Sequence, residues 1–300
     1  MIDRSDDGVE DGGLPVRRRR RLFRQRKIPI RYLIPNFFTL LSLCAGVTAI
    51  RMAIESRHEF AIALIVAAAL LDAVDGRVAR ALKAQSRFGA ELDSLADFVN
   101  FGVAPAIVVY TWGLGGFKEF GWLAALVFSC GMGLRLARFN AMLEVDKPKW
   151  QGSYFTGIPA PAGAISVLLP LYLQGIGLPG MPDLRHLPLV VSVYTMVMAG
   201  LLVSTIPTFS GKLLGERISR EWVLFILVVA TALVGLLVTF PFPMLAMATL
   251  LYLAMIPVSF RTYSRKKQQW DAENPAPIPV PVGSIPAPGL QMPPPGETKH

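Results

Sequence analysis

Eight long apolar runs decide what this chain can fold into. They span residues 36–55, 59–80, 90–113, 120–142, 158–175, 187–206, 221–239 and 242–260. A helix needs about 17–25 apolar residues to cross the hydrocarbon core of a bilayer. Hydrophobic residues make up 53% of the chain and charged residues 17%, whereas a soluble domain has roughly 25% charged residues. We therefore predict an all-α integral membrane protein, a polytopic bundle of about eight transmembrane helices.

Cysteine spacing and net charge bear on whether the chain is a disulfide-linked or zinc-binding protein, or one that binds nucleic acid. Cys44 and Cys130 lie inside apolar runs and match no disulfide or zinc-ligand spacing. The chain has 30 Lys and Arg residues against 21 Asp and Glu residues, an excess typical of a nucleic-acid or an anionic-lipid partner. Because the apolar runs indicate a membrane protein, we expect membrane lipids as partners and no nucleic acid.

Basic residues are distributed unevenly among the connections between the runs. With the N-terminus inside, the even-numbered connections and the C-terminal end hold Lys83, Arg87, Lys147, Lys149, Lys212, Arg217, Arg220, Arg261, Arg265, Lys266 and Lys267. The odd-numbered connections hold only Arg51, Arg57, Lys118 and Arg185. Lys and Arg are retained on the cytoplasmic side of a membrane. We therefore predict a multi-pass protein of the cell membrane with both termini in the cytoplasm.

The two ends of the chain differ from the part between them. Residues 17–27 are rich in arginine, and this run either attracts anionic headgroups or only fixes the topology. Nine prolines between Pro275 and Pro295 predict an extended or disordered tail. We therefore expect a basic cytoplasmic segment at residues 1–27 and a Pro-rich tail at residues 263–300.

Four aspartates between residues 72 and 97 are the candidates for chemistry. Asp72 and Asp75 are three residues apart and Asp93 and Asp97 are four apart, so each pair shares one helix face. An ionised Asp at the centre of a membrane helix costs about 2.5–3.5 kcal/mol. If the facing ends of the second and third helices adjoin, the four carboxylates converge and repel one another unless cations intervene. Two divalent ions would balance their charge.

The ligand types favour a hard cation. Carboxylates without a nearby His or Cys favour Mg²⁺ or Mn²⁺ over zinc or copper. The histidines, His58, His186 and His300, all lie elsewhere in the sequence, so catalysis by a nucleophilic histidine is disfavoured. A site with two metal ions is suited to phosphoryl transfer.

Small and basic residues next to the aspartates fit a phosphate-bearing ligand. Gly76 and Ala79 leave space beside the carboxylates. Arg77 and Arg80 follow at helical spacing and offer phosphate-binding guanidinium groups. Taken alone, Arg77 or Lys83 is more typical of an ion pair at the membrane interface. The combination with four aspartates indicates a pyrophosphate site.

The same segment matches the pattern Asp-x2-Asp-Gly-x2-Ala-Arg-x8-Gly-x3-Asp-x3-Asp at every fixed position. These positions are Asp72, Asp75, Gly76, Ala79, Arg80, Gly89, Asp93 and Asp97. The pattern resembles the signature of the CDP-alcohol phosphatidyltransferase family. Residues 35–40, 88–105, 135–140 and 157–161 also resemble that family, the last three its phosphatidylserine synthase branch in particular.

The resemblance implies a core of six transmembrane helices around a polar cavity that opens at the cytoplasmic surface, commonly in a homodimer. We accordingly expect the core at residues 28–210, two additional helices at residues 211–262, and a homodimer. The resemblance makes Asp72 and Asp93 ligands of both metal ions, Asp75 a ligand of one, and Asp97 a ligand of the other and the general base.

The resemblance also implies which residues contact the substrates. Those expected to contact the CDP group are Asn36, Phe37, Phe38, Thr39, Gly76, Arg80 and Ser86. Without the pattern, Asn36 and Ser86 would be interpreted as helix caps. Arg135 and Arg138 are expected on other grounds: two charges in the fourth apolar run are costly unless they face the cavity or reach the interface. We expect them, helped by Asn140, to hold the serine carboxylate or the donor phosphates. The alternative is that both arginines only mark the cytoplasmic end of a helix.

The reaction implied is transfer of a phosphatidyl group from CDP-diacylglycerol to L-serine, in a single displacement that gives phosphatidylserine and CMP. A sibling enzyme that uses glycerol 3-phosphate or inositol phosphate as acceptor shares the whole pattern. Two hypotheses of another class are a cation transporter, in which the aspartates form an ion pathway, and a non-catalytic membrane scaffold.

Overall fold

The structure is a computed structural model that describes residues 33–142, 154–177, 179–209 and 220–273. Several predictions therefore fall outside the described residues. These concern the segment 1–27, the prolines from Pro275 onward, and the basic residues Lys147, Lys149, Lys212 and Arg217.

The described chain is almost entirely helical. The helices are α1 (Leu33–Ile54), α2 (His58–Ala81), α3 (Arg87–Asp97), α4 (Ala104–Val109), α5 (Lys118–Ala141), α6 (Ala160–Val167), α7 (Leu169–Ile176), α8 (Pro188–Val203), α9 (Arg220–Thr239) and α10 (Pro241–Glu273). Each of the eight predicted runs is helical over most of its length. The prediction of an all-α integral membrane bundle is therefore confirmed.

Five described helices are long and apolar enough to cross a membrane. They are Leu33–Ile54, Arg87–Phe117, Glu119–Ala141, Trp222–Thr239 and Pro241–Glu273. The helix α2 has 24 residues but carries two aspartates and two arginines near its end, which lower its mean hydropathy. The run 158–175 is divided into α6 and α7 because Pro170, near the start of α7, cannot donate the backbone hydrogen bond that would continue α6. The helix α8 has only 16 residues.

The span that follows α2 changes its winding directly after Asp97. It is continuous over 31 residues, Arg87–Phe117, and includes π-helical segments at Phe98–Val103 and Tyr110–Leu114. The N–H of Ala104 bonds the carbonyl of Val99, and Pro105, which follows, has no N–H to give to the preceding turn. A π segment turns the side chains after it relative to those before it, and such segments often occur at functional sites.

Two features of the fold depart from the sequence expectation. A short antiparallel ribbon pairs β1 (Tyr154–Thr156) with β2 (Pro207–Phe209), with Phe155 opposite Thr208. The helix α10 continues to Glu273, into the segment expected to be a tail from residue 263. Residues 263–273 contain neither proline nor glycine, so nothing in them interrupts the helix.

The alternation of the helices gives the bundle two ends. We call the end that holds the start of α1, the end of α2 and the ribbon the aspartate face, and the end that holds Ile54–His58, Gly115–Phe117 and Leu184–His186 the opposite face. Buried small residues such as Ala49, Ala53 and Ala61 allow α1 and α2 to pack closely, as is usual between membrane helices. The helix α9 lies outside the bundle, where no residue of Trp222–Thr239 is buried.

Candidate active site

The end of α2 and the start of α3 bring the four aspartates together. The chain reverses through Leu82–Gln85, where Lys83 has a positive φ of 48°. Ser86 then caps α3, its Oγ accepting a hydrogen bond from the N–H of Gly89 at 3.0 Å. Oxygen atoms of Asp72, Asp75 and Asp93 lie within 4.8 Å of one another, and Asp97 lies close enough to Asp72 for the two carboxyl groups to interact. The carboxylates therefore converge on one site, as the spacing indicates.

Helix α1 supports the buried member of this cluster. Asp75 is 4% exposed, and the Oγ1 of Thr39 donates to its Oδ2 at 2.9 Å. The same hydroxyl lies 3.2 Å from the carbonyl of Pro35. Thr39, predicted as a CDP contact, therefore holds a carboxylate of the cluster in place.

A buried polar chain below the cluster was missed by sequence reasoning. Asn100, three residues after Asp97, donates from Nδ2 to the Oγ of Ser42 at 2.8 Å, and Ser42 donates to the carbonyl of Ala68 at 3.0 Å. These bonds join the span Arg87–Phe117, which follows α2, to α1 and α2. The signal that could have revealed Asn100 is an amide in an apolar run, which is expensive in a membrane unless it is paired.

A cavity of about 290 Å³ opens beside the carboxylates. Among the residues that line it are Asn36, Thr39, Asp75, Gly76, Ser86 and Asp93, all predicted from the sequence as site residues. A Cβ added to Gly76 would meet nothing within 4 Å, whereas one added to Gly89 would lie 2.9 Å from the Oδ1 of Asn36. Gly89 thus permits a close approach between α3 and α1 at the wall of the cavity. Gln85, which the sequence did not single out, also lines it.

Three predicted CDP contacts lie outside this cavity lining. The side chain of Phe37 is 64% exposed on the outer side of α1, and its ring contacts that of Phe38. The guanidinium of Arg80 is exposed, and its Nε donates to the carbonyl of Gly76 at 3.0 Å. Arg80 therefore lies beside the glycine at the cavity wall without lining the cavity itself.

The predicted acceptor residues separate into different environments. Arg135 is 8% exposed, donates from Nε to the carbonyl of Ile158, and lies close enough to Asp97 for its charge to act on it. Arg138 instead donates to the last carbonyls of α8, those of Leu202 at 3.2 Å, Val203 at 2.7 Å and Ser204 at 3.1 Å. The structure therefore places Arg138 as a cap for the C-terminal end of α8.

Asn140 contacts the helix that carries two of the aspartates. Its Nδ2 donates to the Oγ of Ser94 at 2.9 Å, and Ser94 lies between Asp93 and Asp97 on α3. The Ser94 hydroxyl in turn donates to the carbonyl of Ala90 at 3.0 Å. Asn140 thus joins the end of α5 to α3, the helix that carries Asp93 and Asp97.

Comparison with known proteins agrees with this geometry. The family model of the CDP-alcohol phosphatidyltransferases matches residues 32–206, more than half of the chain. The chain belongs to the CDP-alcohol phosphatidyltransferase family. A second model, described as CDP-alcohol phosphatidyltransferase 2, matches residues 221–257. The likeness to CDP-alcohol phosphatidyltransferases therefore extends to α9 and α10, which the sequence pattern alone treated as additional helices.

Several curated CDP-alcohol phosphatidyltransferases are similar to this chain. The CDP-diacylglycerol–serine O-phosphatidyltransferase of Mycobacterium leprae is 53% identical over 154 residues, 50% of this chain and 51% of the relative. The enzyme of the same name from Mycobacterium bovis is 39% identical over 246 residues, 81% of this chain and 82% of the relative. The archaetidylserine synthase of Methanothermobacter thermautotrophicus is 33% identical over 157 residues, 51% of this chain and 64% of the relative.

The donor set at the cluster fits a divalent metal ion. All candidate ligand atoms are carboxylate oxygens, the donors that hard cations prefer. Within the described residues, no Lys, Arg or His forms an ion pair with any of the four aspartates; the ion pairs there are Arg51 with Glu55 and His186 with Asp183. In this part of the chain no cationic side chain pairs directly with the cluster, and its carboxylates suit a bound metal.

Proposed function

We propose that this chain transfers the phosphatidyl group of CDP-diacylglycerol to L-serine, giving phosphatidylserine and CMP. The observation that carries the proposal is the convergence of Asp72, Asp75 and Asp93 beside a cavity of about 290 Å³. The relatives from Mycobacterium, named for this reaction, support serine as the acceptor.

The metal site of the proposal contains two ions, Mg²⁺ or Mn²⁺. Asp72, Asp75, Asp93 and Asp97 would hold these ions through their carboxylate oxygens. Such ions neutralise a diphosphate and stabilise the leaving phosphate. The Thr39 hydroxyl bonded to Asp75 orients that carboxylate before any ligand binds.

The CDP group occupies the cavity in this proposal. Asn36 and Ser86 offer polar atoms beside Gly89 in the lining, and Gly76 leaves the wall open. Arg80 lies one turn from Gly76 at the rim and is placed to reach a phosphate. Phe37 and Phe38 do not line the cavity, so they have no contact with the cytidine in this arrangement.

Asp97 takes the proton of the serine hydroxyl as the serine oxygen attacks the lipid-side phosphorus. A new P–O bond to serine forms, the bond to CMP breaks, and CMP leaves with the electron pair. His58 and His186 lie at the opposite face of the bundle, so the described residues offer no histidine nucleophile at the site, and His300 lies outside them. The displacement therefore takes place in a single step.

Arg135 is the residue we assign to the serine carboxylate, since it is buried and its charge acts on Asp97.

Among the described residues that line the cavity there is no Lys or Arg. An acceptor with a phosphate of its own, such as glycerol 3-phosphate, needs additional cations. Serine is favoured over the sibling acceptors by the relatives that are named for that reaction. A cation pathway is disfavoured because the four aspartates lie at one face of the membrane.

The proposal also covers the orientation of the enzyme in the membrane and its oligomeric state. We place the aspartate face at the cytoplasmic side of the cell membrane, because the described basic residues Lys83 and Arg87 lie there and the positive-inside rule retains such residues in the cytoplasm. The protein is expected to form a homodimer, as the family resemblance implies.

The test is release of CMP from CDP-diacylglycerol by the purified protein. We expect release to depend on L-serine, to stop on addition of a chelator, and to return when Mg²⁺ or Mn²⁺ is restored. Glycerol 3-phosphate and inositol phosphate serve as comparison acceptors. Faster release with either of them, or full release without divalent metal, contradicts the proposal. Metal-dependent ion flux in proteoliposomes without CMP release would instead support a transporter.

A further inference from the structure

A second cavity, of about 320 Å³, lies at the opposite face of the bundle. It is formed by the start of α2, the end of α7, the turn Leu184–His186 and the start of α10. It shares no lining residue with the cavity beside the aspartates. The reaction proposed above therefore does not use this cavity.

Two guanidinium groups line this cavity without a carboxylate partner. They belong to Arg57 and Arg185, and neither forms an ion pair within the described part of the chain. Glu59 also lines the cavity but lies farther than 4.0 Å from both guanidinium groups. Two cations thus outnumber one carboxylate, so the cavity favours an anion.

Aromatic rings position both guanidinium groups. The Arg57 guanidinium lies 4.5 Å from the centre of the Phe60 ring, and that of Arg185 lies 5.8 Å from the Trp112 ring. Such cation–π contacts restrain an arginine while leaving the N–H groups, which lie in the plane of the guanidinium, available to donate. Both arginines are therefore held near the cavity and remain able to donate hydrogen bonds.

One wall of the cavity is apolar, and the polar residues Ser56, His58 and Gln174 line other parts of it. Ile62, Trp112 and Leu171 are buried, and Phe242 completes this wall. The membrane spans end at this level, so we place the two arginines at the depth of the lipid headgroups. The cavity thus combines a cationic rim with an apolar wall, which suits an amphipathic anion.

The position of these arginines in the sequence is also informative. Arg57 and Arg185 belong to different connections, both on the side that the positive-inside rule keeps poor in basic residues. The positive-inside rule therefore does not explain why these two arginines lie at this face. Basic pockets between membrane helices on the cytoplasmic side bind anionic headgroups, and two guanidinium groups offer a phosphate the same charge-assisted hydrogen bonds at this side.

We propose that this cavity binds the phosphate of an anionic phospholipid from the leaflet opposite the aspartates. Arg57 and Arg185 donate hydrogen bonds to the phosphate oxygens, and one acyl chain of the lipid lies against Ile62, Leu171 and Phe242. No covalent step is involved.

The test measures lipid-induced thermal stabilisation of the full-length protein in an uncharged detergent. The probes are dioctanoyl phosphatidylglycerol, dioctanoyl phosphatidylcholine and inorganic phosphate. The variants are Arg57→Gln, Arg185→Gln and the two combined. Arg51→Gln is the matched control, because Arg51 lies at the same face, pairs with Glu55 and does not line the cavity. Gel filtration verifies that each variant is folded.

We expect phosphatidylglycerol to stabilise the wild type and Arg51→Gln equally, and its apparent Kd to rise about tenfold or more in the double variant. Each single variant should show part of that loss. Equal stabilisation of the double variant and the wild type overturns the proposal, as does equal stabilisation by phosphatidylcholine. Equal stabilisation by inorganic phosphate shows a free-anion site and overturns the assignment to a lipid. None of these results depends on CMP release, so the proposed reaction is tested separately.

Discussion

Asp97 differs from the other aspartates in its surroundings, because it lies near Asp72 and the charge of the buried Arg135 acts on it. Asp97→Asn keeps the shape of the side chain but removes its ability to take a proton and weakens it as a metal ligand. General-base catalysis contributes typically ~10²–10⁴-fold to a rate. We therefore expect CMP release to fall by at least that factor.

The control for this prediction is Glu91→Gln. Glu91 is an exposed acid on the same helix and does not line the cavity, so its variant should keep the wild-type rate. Rates are measured at saturating CDP-diacylglycerol and serine. An Asp97→Asn protein that is folded and retains more than a tenth of the wild-type rate contradicts the role of Asp97.

Gly46 offers a test of the packing beneath the cluster. A Cβ at this position would lie 2.0 Å from the Oδ1 of Asn100, so Gly46→Ala must displace either the amide or α1. Overpacking of this kind costs about 1–3 kcal/mol. We expect a lower Tm and reduced CMP release, because Asn100 joins the span of Asp93 and Asp97 to α1.

Gly200→Ala is the matched control for Gly46→Ala. A Cβ at Gly200 meets nothing within 4 Å, and alanine favours a helix more than glycine does. The Tm of this variant should be unchanged or slightly higher. An unchanged Tm for Gly46→Ala as well would contradict the packing described for Asn100.

The spacing of the aspartates was sufficient to predict their convergence, because residues three and four apart share a helix face and a short turn joins the two helices. The hydrogen bond between Thr39 and Asp75 was not predictable in this way. It depends on how α1 packs against α2, and no local pattern in the sequence encodes that contact. The same holds for Asn100 and Ser42, which are far apart in the chain.

At the scale of elements, Arg138 is predicted to stabilise the contact between α5 and α8. It donates to carbonyls of Leu202, Val203 and Ser204, and a hydrogen bond to a charged group contributes about 1.5–3 kcal/mol. Arg138→Ala should therefore lower the Tm in detergent and leave the KM for serine nearly unchanged. Arg135→Ala should raise that KM.

Arg265→Ala is the control for the loss of an arginine, since Arg265 is exposed on α10. Its Tm and KM should match those of the wild type. If Arg138→Ala keeps its Tm and raises the KM for serine, then Arg138 binds the acceptor, as the sequence resemblance implies. The two arginines are only three residues apart, and the sequence could not separate them because their partners come from distant segments.

The winding of the third span shows the limit of hydropathy patterns. A run of apolar residues predicts a helix of the right length but does not distinguish α from π winding, since both keep a continuous apolar surface. Pro105 is the one local signal, and it marks the end of the π segment without giving its start. The pairing of β1 with β2 was not predictable from the sequence either. Each strand has only three residues, and each forms only by pairing with the other.

At the scale of the whole molecule, the orientation in the membrane follows from which face holds the aspartates. We predict that this face is cytoplasmic. The test uses single cysteines in a Cys44→Ser, Cys130→Ser background, one at Arg87 on the aspartate face and one at Gly116 on the opposite face. Arg87 is exposed, and a side chain at Gly116 meets nothing within 4 Å, so both changes should be tolerated.

A membrane-impermeant maleimide added to intact cells should label Gly116→Cys and leave Arg87→Cys unlabelled. Inverted membrane vesicles should give the reverse result. In the proposed reaction, L-serine and CMP reach the cavity from the same side as the nucleotide-activated lipid headgroup, and the positive-inside rule predicts that this side is the cytoplasm. Labelling of Arg87→Cys in intact cells would place the aspartates outside, and the positive-inside argument for this chain would then be wrong.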